Sequence, residues 1–270
     1  MSARTRSIRP APWAGAVFAA ALGLGLPAPA AAYEDLAEAP AGAAVRDPLV
    51  RFNRASFAFS MGVDRWMTGP AVRAYMAVTP KVVRARLSAA VDNLGEPSTV
   101  LNDLAQGRGR HAGRATGRFL VNSTVGLAGL FDVAARAGLE PHEADFGQTL
   151  GRYGVGPGAY VFVPLLGPMT LRDGIGFFAD GLADPVSRAT GGVSSDFGRA
   201  HLAATLVTGR EAADPAFRAL DDAADPYATV RAAYLQHRAF VVAEARGEVT
   251  DLPDFAPAPE PSDSEPAPGL

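Results

Sequence analysis

Apolar and polar positions along most of this chain repeat with a helical period. Pro48 to Met67 opens the series, with Asp47 at the N-cap and Pro48 at N1, a pairing that starts helices well. At 100° per residue, Leu49, Phe52, Phe59, Val63 and Trp66 share one face, and Val50, Phe57 and Met61 share roughly the opposite one. Two apolar faces predict burial on two sides, either against lipid or as the central helix of a soluble core. Thr79 and Pro80 repeat the start signal. The stripe Val83, Leu87, Ala90 and Leu94 follows, with Gly95 and Pro97 predicting its stop. Further helices are predicted from Ser98 to near Gly107, over 109–121 and over Val125 to Ala135. Others follow over Thr170 to Leu182, Phe197 to Thr208 and Pro226 to Glu244, the last with Asp225 and Pro226 as cap and N1. Glu140 to Tyr153 reads as loop, and Tyr160 to Val163 as a short extended piece. The plan is all-α.

One stretch breaks the period. Tyr153 to Leu171 carries no charge over 19 residues and is bracketed by Arg152 and Arg172. That length would cross a hydrocarbon core as a helix. Gly154, Gly156, Pro157, Gly158, Pro164, Gly167 and Pro168 prevent one straight helix. Irregular apolar backbone at membrane depth must be satisfied by protein or by a water-filled cavity. The expectation is a segment hidden in a large core or wrapped around a cavity.

The ends set the compartment. Arg4, Arg6 and Arg9 precede an Ala-rich apolar run, and Ala30 to Ala32 offer small residues before Tyr33. Residues 1–32 therefore read as a cleaved secretory signal. Residues 33–46 read as a flexible lead-in, 47–246 as one domain, and the Pro-rich acidic residues 247–270 as a disordered tail. Cysteine is absent, which excludes disulfides, thiolate chemistry and a lipidated N-terminal cysteine. Without the signal, 22 basic residues face 28 acidic ones, so nucleic acid is not an expected partner.

Reactive constellations are sparse. No Gly-x-Ser-x-Gly or His-Glu-x-x-His occurs. His142-Glu143-Ala144-Asp145 offers ligands or an acid/base pair, or is simply a polar loop. Arg110, Arg114 and Arg118 recur every four residues along one helical edge. They make either a stripe for phosphate headgroups or partners, or a solvated face paired with acids. Neither a catalytic residue nor a metal site nor a cofactor is expected.

Several segments in order carry a resemblance. They are Asp47-Pro48-Leu49-Val50-Arg51-Phe52-Asn53-Arg54, Asn93-Leu94-Gly95-Glu96-Pro97 and Asn102-Asp103-Leu104-Ala105-Gln106-Gly107. Then come Arg118-Phe119-Leu120-Val121-Asn122, Phe146-Gly147-Gln148-Thr149-Leu150-Gly151-Arg152-Tyr153-Gly154, Thr170-Leu171-Arg172-Asp173, Asp180-Gly181, Asp225-Pro226-Tyr227 and Gln236-His237-Arg238. Together, over roughly residues 46–245, the chain resembles the MlaA/VacJ family. The resemblance implies a ring-like helical bundle around a central channel in the periplasmic side of the outer membrane. It implies a non-enzymatic role: phospholipids that have strayed into the outer leaflet pass through to a soluble periplasmic carrier of the MlaC type, which maintains lipid asymmetry. Trimeric porins are implied partners. Many members are tethered through a cysteine, and the expectation here is that apolar faces in the bilayer, with porin contact, replace the tether. Leu49, Phe52, Phe59, Val63 and Trp66 are the expected membrane wall. Tyr160 to Leu166, and within it Tyr160, Phe162, Leu165 and Leu166, is a second expected lipid contact. Rival expectations are a periplasmic hydrolase with a dispersed site and a porin-associated scaffold.

Overall fold

The structure, a computed structural model, describes residues 45–248. The expected signal, most of the lead-in and most of the tail lie outside the described residues. The described residues form helices α1 (Val50–Val63), α2 (Gly69–Val78), α3 (Lys81–Ala105), α4 (Gly109–Thr124), α5 (Val133–Arg136) and α6 (Phe146–Arg152). A two-stranded antiparallel hairpin follows, β1 (Tyr160–Val163) and β2 (Gly167–Thr170), with Tyr160 opposite Thr170 and Val163 opposite Gly167. Then come α7 (Leu171–Ala183), α8 (Pro185–Thr190), α9 (Asp196–Asp221) and α10 (Pro226–Arg246). The all-α plan holds, with the hairpin inserted at the irregular segment. No helix among the described residues is long and apolar enough to cross a membrane.

The apolar core is small and aromatic. Tyr160 and Phe162 alternate inward from β1, as the two-residue period of a strand dictates. They meet Phe57 of α1 and Tyr227 and Tyr234 of α10 in edge-on contacts, the geometry that ring quadrupoles favour. The centroid distances run from 5.4 Å for Phe57–Phe162 to 6.3 Å for Tyr160–Tyr227. Asn53 stitches α1 to the strand. Its Nδ2 donates to the Tyr160 carbonyl at 3.2 Å and to Asp47 at 2.7 Å, and its Oδ1 accepts from the Phe162 amide at 2.8 Å. A buried strand edge thus finds its partners in a side chain.

Local chemistry accounts for several departures from the sequence expectations. Asp47 does not cap α1, because its carboxylate is spent on Asn53 and on the Tyr227 hydroxyl at 2.6 Å. The helix instead begins at Val50, behind Leu49, with no side-chain cap. Gly95 and Pro97 do not stop α3, which runs on to Ala105. Pro97 lacks only the one N–H that would bond to Asn93, and tertiary packing of the long helix outweighs that loss. Val125 to Ala135 is not a helix but a turn with Leu127, Ala128 and Gly129 at positive φ, leaving only the single turn of α5. Conversely, α6 forms where loop was expected, because Asp145 accepts from the Gln148 amide and caps it.

Candidate functional site

Four helices carry several large apolar side chains outward, although Phe57 of α1, Val91 of α3 and Phe217 and Leu220 of α9 are buried. On α7, Leu171, Ile175, Phe178 and Leu182 form an exposed stripe at helical spacing, while Arg172 and Gly176 are buried. On α3, Val82, Val83, Leu101 and Leu104 are exposed while Asn93, Glu96, Asn102 and Asp103 are buried. On α9, Phe197, Leu202 and Leu206 face out and Thr205, Thr208, Arg210 and Asp214 face in. On α1 and the π-helical turn that follows it (Asp64–Thr68), Phe52, Phe59, Trp66 and Met67 are exposed while Asn53, Ser56 and Asp64 are buried. Trp66 is 80 % exposed. Water-facing helices usually turn polar side chains outward, and exposed apolar side chains on several helices mark contact with a partner or a bilayer.

Some of the inward side chains, Glu96 of α3 and Thr205 of α9 among them, line a cavity of about 380 Å³. Its wall draws on α3, α4, the loop before α6, β2, α7, α9 and α10. Buried charges need partners, and two ion-pair systems supply them. In the first, Arg118 of α4 donates through Nε to Glu96, through Nη1 to the Leu139 carbonyl at 2.7 Å and through Nη2 to Asp132 at 3.2 Å. In the second, Arg238 of α10 donates to Asp145 at 2.6 Å and to Asp173 at 2.8 Å. Asp173 also accepts from Tyr234 and Thr170, each at 2.7 Å, and from Arg172. Burial alone would raise the Asp173 pKa. The Arg238 and Arg172 guanidiniums and these hydrogen bonds reverse that and hold it at about 2.

Two glycines let this second system close. A Cβ on Gly176 would lie 2.3 Å from the Gly147 nitrogen, so α6 and α7 touch backbone to backbone there. A Cβ on Gly147 would strike Asp173 and Arg238, at 2.7 and 2.8 Å.

Two cavity carboxylates contrast with these pairs. Asp92 and Glu143 have no hydrogen-bonding side-chain partner among the described residues. Desolvation, together with repulsion from Glu143 and Glu96, pushes the Asp92 pKa up to about 8. Glu143 opens onto the cavity with protein around it, and desolvation, then Asp145, pushes it up to about 7. His142, also on the wall, donates from Nε2 to the fully buried Asp103 at 2.6 Å.

The structure sorts the residues singled out from sequence. Leu49, Phe52, Phe59 and Trp66 lie exposed, and Val63 is half-buried. Leu165 is exposed at positive φ and Leu166 is half-buried. Tyr160 and Phe162 are a correction. They are 0 % and 1 % exposed in the aromatic core and cannot touch lipid, because the strand turns its alternate residues inward. Arg118 is a second correction. It is 3 % exposed and committed to Glu96 and Asp132, whereas Arg110 and Arg114 remain at the surface. Sequence reasoning missed the pairing role of Arg238, Asp173 and Glu96, although each stands in a segment that carried the family resemblance.

The family model described as MlaA lipoprotein matches residues 45–241. The chain belongs to the MlaA family. Among its relatives, the intermembrane phospholipid transport system lipoprotein MlaA of Escherichia coli K12 is 36 % identical over 201 residues, covering 72 % of this chain and 78 % of the relative. An uncharacterized protein of Rickettsia bellii is 34 % identical over 196 residues, covering 72 % of this chain and 76 % of the relative. A solved structure described as the structural basis for maintenance of bacterial outer membrane lipid asymmetry superimposes with a TM-score of 0.65 at 34 % identity. It covers 73 % of this chain and 99 % of that one. In this MlaA-family chain the matched region takes in both ion-pair systems and all four outward-apolar helices.

Proposed function

We propose that this chain takes part in phospholipid transport between membranes, as the names of its relatives say of them, and that it carries phospholipid out of the outer leaflet of the outer membrane toward the periplasm. The supporting observation is that α1, α3, α7 and α9 expose apolar side chains while α3, α7 and α9 also bring Glu96, Asp173, Asp180 and Thr205 to the cavity wall. Such a body rests in a bilayer, and its charged wall gives a lipid headgroup a polar place to lodge. Each large apolar side chain buried in lipid contributes roughly 1.5–3 kcal/mol. The exposed set would thus contribute substantially to membrane attachment. Phe52, Phe59, Trp66, Leu49 and Leu165 form part of this membrane wall.

On this reading the protein sits on the periplasmic side of the outer membrane after export. A trimeric porin braces it, and a periplasmic carrier of the MlaC type takes the lipid. Moving a lipid breaks no bond, so the cavity needs no nucleophile, and the buried His142–Asp103 pair braces the loop before α6.

The test is complementation of a deletion strain. The intact gene is expected to restore exclusion of phospholipid from the outer leaflet, and purified protein to carry phospholipid identifiable by mass spectrometry. Restored porin assembly without restored asymmetry would favour a scaffold instead. Lipid turnover by the purified protein that disappears in His142→Ala would favour a hydrolase.

A further inference from the structure

The stripe expected along α4 is broken by the burial of Arg118, but other arginines converge nearby from three separate elements. A cleft of about 490 Å³ is lined by Arg108, Arg110 and His111 at the start of α4, Arg152 at the end of α6, and Glu244 and Arg246 at the end of α10. Gly107, Gly109 and Gly247 leave its backbone bare.

The acceptors that hold these guanidiniums are mostly neutral. Arg152 donates to the Ala245 carbonyl, and Arg246 donates to the Gly151 carbonyl at 2.7 and 3.0 Å. Arg108 reaches the His111 ring at 3.0 Å. A carbonyl or imidazole aims a guanidinium without cancelling its charge. The carboxylates in reach are both loose, Glu244 at 3.7 Å from Arg108 and Glu248 at 3.7 Å from Arg246. Arg110 is exposed and has no hydrogen-bond partner among the described residues. Four positive charges against two negative ones, neither within hydrogen-bond distance, leave the cleft with a net positive charge. His111 registers the same field: burial first, and Arg108 next, lower its pKa. α4 also begins here without a side-chain cap, which adds first-turn N–H donors of the same sign.

The cleft shares a wall with the central cavity. His111 lines the cleft, His142 lines the cavity, and their rings meet edge-on at 5.0 Å.

We propose that the cleft formed by Arg108, Arg110, Arg152 and Arg246 is a phosphate-binding site, taking the phosphodiester of a phospholipid headgroup or a free phosphate. Guanidinium forks match phosphate oxygens in pairs. The transport reading bears only on which molecule brings the phosphate. Through the shared His111–His142 wall, a headgroup held here sits next to the cavity.

The test titrates the full chain, in a maltoside detergent, with water-soluble dihexanoylphosphatidylglycerol, with inorganic phosphate, and with dihexanoylglycerol, which lacks the phosphate. The phosphatidylglycerol is expected to bind and the dihexanoylglycerol not to displace it. Arg110→Glu combined with Arg108→Gln should weaken binding about tenfold or more, whereas Arg110→Lys, which keeps the charge and loses the fork, should weaken it by less than that. Added salt should weaken binding, as it does for exposed charges. Displacement by inorganic phosphate at equal affinity assigns the site to free phosphate, and failure to displace assigns it to headgroups. Both results uphold phosphate recognition.

Unchanged binding in the folded double variant, or no binding of either phosphate probe to the wild type, overturns the proposal. Arg110→Glu alone guards against a folding artefact, because that side chain supports no contact. A wild-type protein that copurifies no lipid and fails to restore asymmetry would sink the transport reading while leaving the phosphate titration interpretable.

Discussion

Helices α1 and α10 pack on the same hairpin with opposite polarity. α10 buries Tyr227, Val230, Tyr234 and Val242 and turns Ala228, Thr229, Ala232 and Gln236 outward. α1 buries Asn53 and Ser56 beside Phe57 and turns Phe52 and Phe59 outward. The first pattern suits water outside and an apolar core within. The second suits an apolar medium outside, with buried polar groups satisfied by specific partners such as the Asn53 bridge. On the proposed reading, one small core serves a molecule with two kinds of surroundings, and the change from one to the other falls between these two helices.

Measured as folding stability, the contrast is broken most severely from the α10 side. Arg238→Ala leaves the buried Asp173 with Arg172 as its one remaining cation and the partly exposed Asp145 with none, which should cost about 2–3 kcal/mol. Chemical denaturation is expected to show that loss, with a matching rise in the Asp173 pKa from about 2. The α1 exterior comes next. Phe59→Asp places a carboxylate where the proposed bilayer contact lies, a penalty of about 2.5–3.5 kcal/mol. The folded variant should shift from the membrane fraction toward the soluble one, while Ala232→Asp on α10 should not. Equal behaviour of the two would end the contrast.

On the α1 interior, Asn53→Ala orphans the Phe162 amide and the Tyr160 carbonyl. That should cost about 2 kcal/mol of unfolding free energy, with faster amide exchange in β1 as the local signature.

The smallest effect concerns Asp92. Its folded pKa, about 8, lies above its ordinary value near 3.8. Its contribution to stability is thus fully present below about pH 4 and is lost as pH rises through 8. Asp92→Asn should remove that loss, gaining about 1 kcal/mol at pH 8 relative to pH 5 after allowance for solvent screening. Asp173 runs the other way, since its contribution is present above about pH 4 and fades toward pH 2. A melting-temperature profile from pH 3 to 9 separates the two.

Helical periodicity and cap chemistry made the all-α plan legible. The starts at Asp225-Pro226 and Thr170, and the extended piece at Tyr160, follow from residue-level preferences that tertiary contacts reinforce. The aromatic face of α1 was legible as a face, but its direction was not, because periodicity gives an angle and never says what lies beyond it. The passage of α3 through Pro97 was hidden because a local breaker was outvoted by a 25-residue packing surface. The cavity wall was hidden for a different reason. Arg238 and Asp145 are separated by 93 positions, and only folding brings them together. The arginine spacing on α4 misled because a regular repeat carries no information about which member turns inward, and Arg118 did.

The size of the cavity has its own consequence. About 380 Å³ admits a headgroup with its glycerol but not two full acyl chains. A lipid in transit on the proposed route would be divided between two media, its head among carboxylates and guanidiniums and its tails trailing along the greasy flank outside. Head-group chemistry would then be read at the threshold while chain length and saturation go largely unread.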